Sequence, residues 1–264
     1  MLNSNIDRTG LRSKMLKYLA ELFVVVFGVY LAFMASNYSE ELKQKAYVDT
    51  TIKEMYHGLS QDIEDAEMNK KGHQQGINAT EYFFRMVGNQ KIEKDSFGYY
   101  LQTLTRNFLS VQNTSPFETI RSKGFNVITN DSLRRQMIKL FDFQYEVLEK
   151  IEEKYQESQL YANESHHINE IFDNSLIFND NFKLEKIIIP LNISREDRSR
   201  LILILKRIYN TRTFNIYVYN EVIGDMKNLR DHLAIEYPFV LENSKWWSFR
   251  KACCLNKDTV TIQV

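Results

Sequence analysis

Two Glu-x-x-His pairs are the clearest metal-ligating patterns in the sequence, Glu54 with His57 and Glu164 with His167. Di-iron helical bundles build their centres from carboxylate and imidazole groups spaced in this way, with every ligand pointing into the bundle. At about 100° per residue, both pairs point away from the apolar stripes of their own predicted helices. The pattern therefore argues against a buried metal centre, and we predict no metal and no cofactor.

No other residue pattern indicates catalysis. The chain has no Gly-x-Ser-x-Gly elbow and no glycine-rich phosphate loop. Its two cysteines, Cys253 and Cys254, are adjacent, so they predict no disulfide framework, and nothing beside Cys254 favours a reactive thiolate. We assign no catalytic residue and expect a protein that is not an enzyme.

Arg134 and Arg135 follow a predicted helix start at Asn130 or Asp131. Since a helix N-terminus can hold an anion, an anion site is one interpretation of the two arginines. The other is that both guanidinium groups are simply solvated.

Composition favours long helices and argues against nucleic-acid binding. The 264 residues include 34 basic and 34 acidic side chains, so the net charge is zero, without the basic excess of a nucleic-acid binder. Nine glycines and three prolines are few turn-formers for a chain of this length.

An apolar run near the N-terminus is long enough to cross a bilayer. Residues 18–37 are apolar apart from Glu21 and Ser36, and about 20 such residues match a hydrocarbon core of roughly 30 Å. A cleaved signal peptide and a buried core helix are the alternatives. The cleavage position is poor, because Phe33 stands where a small residue is wanted.

The flanking charges predict the orientation. Basic residues precede the run at Arg8, Arg12, Lys14 and Lys17, whereas Glu40 and Glu41 follow it. The positive-inside rule then keeps the N-terminus cytoplasmic, in the inner membrane of a bacterium, with the helical domain in the periplasm. The predicted segments are a short cytoplasmic basic segment (1–17), a transmembrane helix (18–38), a helical extracytoplasmic domain (39–240) and a C-terminal tail (241–264).

Glu21 has two interpretations. An intramembrane carboxylate that relays protons or pairs in an oligomer is one, since charged residues inside a span are functional candidates. The other is that Glu21 lies at the membrane interface, where Lys17 is four residues earlier on the same helical face.

These residues resemble a family of uncharacterised single-span membrane proteins widespread in Bacteroidetes. The similarity lies in Ala20-Glu21 before the apolar run, in the exit Ser36-Asn37-Tyr38-Ser39-Glu40, and in a later segment. That segment matches at Ser122, Gly124, Ile128, Asn130, Leu133 and Arg134. Ala20 and Tyr38 depart from the Gly and Trp of the family pattern. The resemblance implies an N-terminal signal anchor and a helical domain, and it implies no chemistry.

Apolar spacing predicts the helices beyond the run. A stripe of three- and four-residue steps extends the first helix to about Lys71, where Gly72 and Gly76 predict a break. Shorter helices follow over 77–88 and 95–109.

The middle of the chain carries start and stop signals. Ser115 and Glu118 form a predicted capping box, and Gly124 a predicted stop. The next helix begins near Asn130 and extends to about residue 172. Periodicity fails after that, and residues 183–194 predict a short strand or an extended loop.

A heptad seam marks the last predicted helix, which starts at Ser194 and Asp197. Ten residues repeat at steps of four and three: Leu201, Leu205, Ile208, Arg212, Asn215, Tyr219, Val222, Met226, Leu229 and Leu233. Of the two polar members, Arg212 and Asn215, a buried Asn215 can fix register or partner. The alternative is that both face solvent where helices diverge.

The tail contains an aromatic and basic cluster. Trp246, Trp247, Arg250 and Lys251 suit a lipid surface, and the alternative is that the tryptophans close the end of the bundle.

We therefore predict an all-α fold in which an N-terminal transmembrane helix continues into a long helix of an antiparallel extracytoplasmic bundle. The expected role is self-association or binding of another membrane or periplasmic protein, with lipid as a further partner and no nucleic acid. The alternative is a periplasmic ligand-sensing bundle that signals through a separate membrane or cytoplasmic partner.

Overall fold

The computed structural model describes residues 8–242, with side chains from residue 16 onward. The described chain is mostly helical. Its α-helices are α1 (Arg8–Val87), α2 (Phe97–Leu104), α3 (Ser115–Lys123), α4 (Asp131–Ile138), α5 (Tyr145–Glu149), α6 (Leu160–Phe172) and α7 (Arg195–Glu236). The chain divides into two compact units, with the boundary between Thr51 and Ile52.

The first unit is the N-terminal part of α1. Every described side chain in residues 16–47 is exposed, including the whole apolar run. Among the described residues, one helix is thus long and apolar enough to cross a membrane, and these residues bury none of its most apolar window, which has a mean hydropathy of 2.1. The alternative of a buried core helix does not fit this exposure.

The second unit begins with the rest of α1, which continues to Val87. The predicted break at Gly72 and Gly76 is wrong, and so is a separate helix over 77–88. Both glycines lie inside the helix because bulky groups from other segments pack directly on them: Phe108 on Gly72 and Arg212 on Gly76.

Helix α7 contacts α4, α5 and α6 and supplies much of the core. The side chain of Ser194 accepts a hydrogen bond from the backbone N–H of Asp197 (2.9 Å), which confirms the predicted helix start. All ten seam residues are buried within this chain. Arg198 reaches the carbonyl of Val87, and Lys227 pairs with Glu67, so α7 runs antiparallel to this part of α1.

Local signals around α3 are partly confirmed. Gly124 ends the helix with φ of 90°, a conformation that favours glycine. The predicted capping box is wrong, because Thr114 is the N-cap residue and no side chain caps the helix. The Glu118 carboxylate instead accepts a hydrogen bond from Arg121 (3.0 Å).

The predicted helix from Asn130 to residue 172 is wrong in its extent. It starts as predicted, with the Asn130 side chain accepting from the N–H groups of Ser132 and Leu133. Two π-helical turns, Lys139–Gln144 and Lys150–Lys154, flank α5, and the helix ends before Tyr155. Gln159 then donates to the carbonyl of Glu152 (2.6 Å), satisfying one of the acceptors that the helix end leaves free.

Because the helix ends here and α6 starts anew, the residues of α6 face other directions than one continuous helix would give them. Glu164 of α6 is buried, and the prediction that it points away from the core is wrong. Its carboxylate pairs with Arg207 at 2.9 Å. His167, three residues later, is exposed.

A short hairpin follows α6. Strands β1 (Leu176–Phe178) and β2 (Leu184–Ile187) pair antiparallel, with Leu176 opposite Ile187 and a register shift between Ile177 and Phe178. The described residues therefore form a mostly helical fold with one two-stranded sheet, rather than a purely α fold.

Candidate functional site

One face of α1 carries a regular line of glycine and polar residues. Gly58, Asp62, Asp65, Asn69, Gly72 and Gly76 recur at steps of four and three, so they share one side of the helix. The irregular segment between α2 and α3, residues 105–114, lies along this line. We call this segment the strap.

Hydrogen bonds fix the strap to α1 in antiparallel order. The backbone N–H of Asn113 donates to Asp62 (3.0 Å), and that of Val111 donates to Asp65 (3.1 Å). The Asn69 amide donates to the carbonyl of Leu109 (3.2 Å). Carboxylates and an amide thus satisfy backbone groups that in a sheet would pair with another strand.

Glycine makes the close approach possible. A Cβ at Gly72 would stand 2.3 Å from the Phe108 ring, and one at Gly58 would stand 2.6 Å from the Asn113 amide. From Gly58 to Gly72 the helix rises about 21 Å. The extended strap from Phe108 to Asn113 covers about 17 Å. Because the two lengths are similar, the extended strap can run alongside this part of α1.

A buried carboxylate outside α1 also holds the middle of the strap. Glu152, in the second π-helical turn, accepts the Ser110 N–H (2.8 Å) and the Ser110 hydroxyl (2.8 Å). The Tyr219 hydroxyl of α7 donates to the same carboxylate and lies 2.8 Å from the Ser110 oxygen. Burial raises the pKa of Glu152, and these hydrogen bonds oppose the rise.

Arg212 of α7 anchors the start of the strap. Its side chain is buried, and Nη2 donates to the carbonyls of Thr103 (3.3 Å), Leu104 (3.0 Å) and Arg106 (2.7 Å). These carbonyls stand at the C-terminal end of α2, where the helix dipole favours a cation. Burial lowers the pKa of Arg212 to about 10, so it stays protonated at neutral pH.

His73 of α1 completes the Arg212 environment. Arg212 Nη1 lies 3.1 Å from His73 Nδ1. Burial, and then the nearby Arg212 charge, lower the pKa of His73 to about 3. Among the described residues, His73 Nε2 and Arg212 Nε have no hydrogen-bond partner.

Asp62 is the second buried carboxylate that the strap contacts. It accepts a hydrogen bond from the Tyr145 hydroxyl (2.7 Å) as well as from Asn113. Burial raises the pKa of Asp62 to about 6, although both hydrogen bonds favour its ionised form.

The groups of this site hold the strap in place. Ser110, Glu152 and Tyr219 are types used in acid–base catalysis, but here they bond to one another and to the strap backbone. Within residues 16–242, no three His, Cys, Asp or Glu side chains are arranged to hold a metal ion. The arrangement acts as a clamp on the ten residues of the strap.

The structure brings Arg212 into this site. Asn215, three residues on, is buried with its Oδ1 atom lacking a hydrogen-bond partner among the described residues. The interpretation that the two side chains face solvent is therefore wrong. The seam is also covered by this chain's own helices.

The remaining predicted residues lie elsewhere. Glu21 is exposed in the first unit, and no described ion pair joins it to Lys17. Arg134 pairs with Asp131 and reaches the carbonyl of Phe125 (3.5 Å), while Arg135 is exposed. Trp246, Trp247, Arg250 and Lys251 lie outside the described residues.

At the predicted anion site, the Asn130 side chain already accepts from the Ser132 and Leu133 N–H groups. An anion at this helix start would have to displace the side chain.

Sequence reasoning missed the strap. The signal for it is the four-and-three spacing of Gly58, Asp62, Asp65 and Asn69, which continues through Gly72 and Gly76.

Comparison with protein-family models, with curated proteins and with solved structures finds no match to the chain. The resemblance to the Bacteroidetes membrane family stays a prediction.

Proposed function

We propose that this chain is a single-span membrane protein whose helical unit, from Ile52 onward, binds a protein partner or a second copy of itself. One observation carries the proposal: within the described part of the chain, no segment covers the apolar run of α1. About 20 apolar side chains exposed on all sides of a helix are stable in lipid and costly in water.

The proposed orientation places the N-terminus in the cytoplasm and the helical unit in the periplasm as an antiparallel bundle. Four basic residues before the run support this orientation through the positive-inside rule. In this topology Glu21 lies near the cytoplasmic interface.

A stripe on the outer face of α7 is the surface that we propose for the partner. Leu203, Phe214 and Tyr217 fall within about 60° of one another around the helix, opposite the buried seam. They are 65%, 44% and 62% exposed. Aromatic side chains of this kind are enriched at protein interfaces.

Anchoring is tested by placing charges in the run. Phe23→Asp combined with Val26→Asp should move the protein from the membrane to the soluble or aggregated fraction, because each central charge costs about 2.5–3.5 kcal/mol on insertion. The matched control, Ser39→Asp with Gln44→Asp, adds the same charges beyond the run. Alkali-resistant membrane association of the Phe23/Val26 variant would overturn the anchor.

Glu21→Gln separates the two interpretations of that residue. Unchanged insertion, assembly and partner recovery support the interfacial interpretation, whereas a selective loss of assembly supports an intramembrane role.

Partner binding is tested by cross-linking in native membranes. Phe214→Ser with Tyr217→Ser should remove the cross-linked species, since both side chains belong to the proposed stripe and are exposed. Phe182→Ser, which changes a side chain that is 90% exposed on the hairpin, is the control. A strictly monomeric wild-type chain without a cross-linked partner would refute the proposal.

A further inference from the structure

A cavity of about 320 Å³ opens beside the C-terminal end of α1. It is lined by Tyr82, Arg85, Lys91, Ile92, Glu93 and Tyr100. It is distinct from the strap, and neither the clamp nor the membrane anchor uses it. Its volume lies at the lower end of the range for small-molecule sites.

Two tyrosine rings give the cavity an aromatic wall. The Tyr82 and Tyr100 rings stack with centroids 4.6 Å apart and an interplanar angle of 28°. The Tyr82 hydroxyl donates to the carbonyl of Glu93 (2.8 Å), which ties the loop after α1 to this wall. Tyr82 is only 1% exposed, so the wall is fixed by core packing.

Two cations line the same cavity without counterions. Among the described residues, neither the Arg85 guanidinium nor the Lys91 ammonium group takes part in any hydrogen bond or ion pair. On the same helix, Lys70 pairs with Glu67 at 2.5 Å. Glu93 is the one acid of the lining, and its carboxylate accepts the Ser96 hydroxyl (3.4 Å). The lining therefore has a formal charge of +1.

We propose that this cavity binds a small organic anion with a flat apolar body, such as an aryl phosphate or aryl carboxylate. The body contacts the partly exposed Tyr100 ring, which packs on the buried Tyr82 ring, because aromatic faces stack favourably with flat apolar groups. The anionic group lies between Arg85 and Lys91, whose charged donors form strong hydrogen bonds with phosphate and carboxylate oxygens. Such a site would bind the ligand in a sensing role. Ligand binding here does not depend on the proposed partner binding.

The test is calorimetric titration of the full chain in an uncharged detergent with phenyl phosphate as the probe. We expect saturable 1:1 binding, and weaker binding of inorganic phosphate and of phenol, which each carry half of the recognised chemistry. Arg85→Gln with Lys91→Gln should weaken phenyl phosphate binding about tenfold or more, because charge-assisted hydrogen bonds are lost.

Controls keep the result specific. Lys71→Gln with Arg195→Gln removes one lysine and one arginine that are exposed elsewhere, and should leave the affinity unchanged. Tyr100→Leu should weaken phenyl phosphate but not inorganic phosphate. The proposal is overturned by the absence of saturable binding, by equal losses in both double variants, or by phenol binding as tightly as phenyl phosphate.

Discussion

Arg212 and His73 meet in the buried interior of the helical unit, with Nη1 3.1 Å from Nδ1. Since a guanidinium group can only donate, His73 accepts on Nδ1 and carries its proton on Nε2. No described carboxylate forms an ion pair with Arg212. Its positive charge is instead stabilised by hydrogen bonds to the carbonyls at the end of α2. This arrangement ties α1, α2 and α7 together where the strap begins.

Arg212→Met should destabilise the protein by about 3 kcal/mol or more. The methionine keeps much of the apolar stem but leaves buried carbonyls unsatisfied, at about 1–3 kcal/mol for each group. Chemical unfolding followed by circular dichroism in detergent measures the change. Thr213→Ala, at the exposed neighbouring position, is the control and should change the free energy of unfolding by less than about 0.5 kcal/mol. Equal effects of the two substitutions would contradict the anchoring role of Arg212.

His73 should make the protein less stable in acid. Its pKa is about 3 when folded against 6.5 for an unperturbed histidine, so the unfolded state binds the proton first. The free energy of unfolding then falls by up to about 1.4 kcal/mol per pH unit as pH decreases from 6.5 towards 3. In His73→Gln this pH-dependent loss of stability is absent. The wild-type advantage over that variant should shrink by about 2 kcal/mol between pH 7 and pH 5.

Gln74→Asn, which changes an exposed neighbour and removes no titratable group, is the control for the acid effect. Its difference from wild type should stay constant over the same interval. A constant difference for His73→Gln as well would show that folding does not lower the pKa of His73.

Asp62 should have the opposite pH dependence. Its pKa is raised to about 6 in the folded state from 3.8, so the folded state binds the proton first. This contribution to stability is complete below about pH 3.8 and is lost as pH rises through 6. Relative to Asp62→Asn, wild type should gain about 2–3 kcal/mol from pH 7 to pH 4. Gln61→Asn, which changes an exposed neighbour and removes no titratable group, is the control and should show no such trend.

Glycines on two helices should respond to alanine with opposite signs. In an open helix position, Gly→Ala stabilises by up to about 1 kcal/mol. Gly224 of α7 has open space around it and should follow this rule. Gly72→Ala should destabilise instead, because its Cβ would meet the Phe108 ring at 2.3 Å. Thermal unfolding of the two variants measures the difference, and stabilisation by both would show that the strap does not press on α1.

Local signals in the sequence were sufficient for several elements. The Ser194 and Asn130 caps and the Gly124 stop each depend on a few adjacent residues, and the structure contains all three. The seam phase of α7 was also predictable, because apolar spacing reports which face is buried. These features need no knowledge of distant segments.

Other features depended on what packs opposite. The low helix propensity of glycine predicts a break at Gly72. The residue nevertheless lies inside a helix, because the Phe108 ring packs directly against it. Glu164 points inward because the helix before it ends at Lys154, which changes the phase of α6. Neither outcome can be read from neighbouring residues.

An apolar run long enough to span a membrane and a final helix with one buried face follow from the local order of residues. The cover of this face by the chain's own helices, and the clamp that Asp62, Glu152 and Arg212 form on the strap, depend on how distant segments pack. Periodicity is a local property that a helix carries wherever it packs. The clamp joins residues 42 to 109 positions apart, so its partners are set by the packing of the whole helical unit.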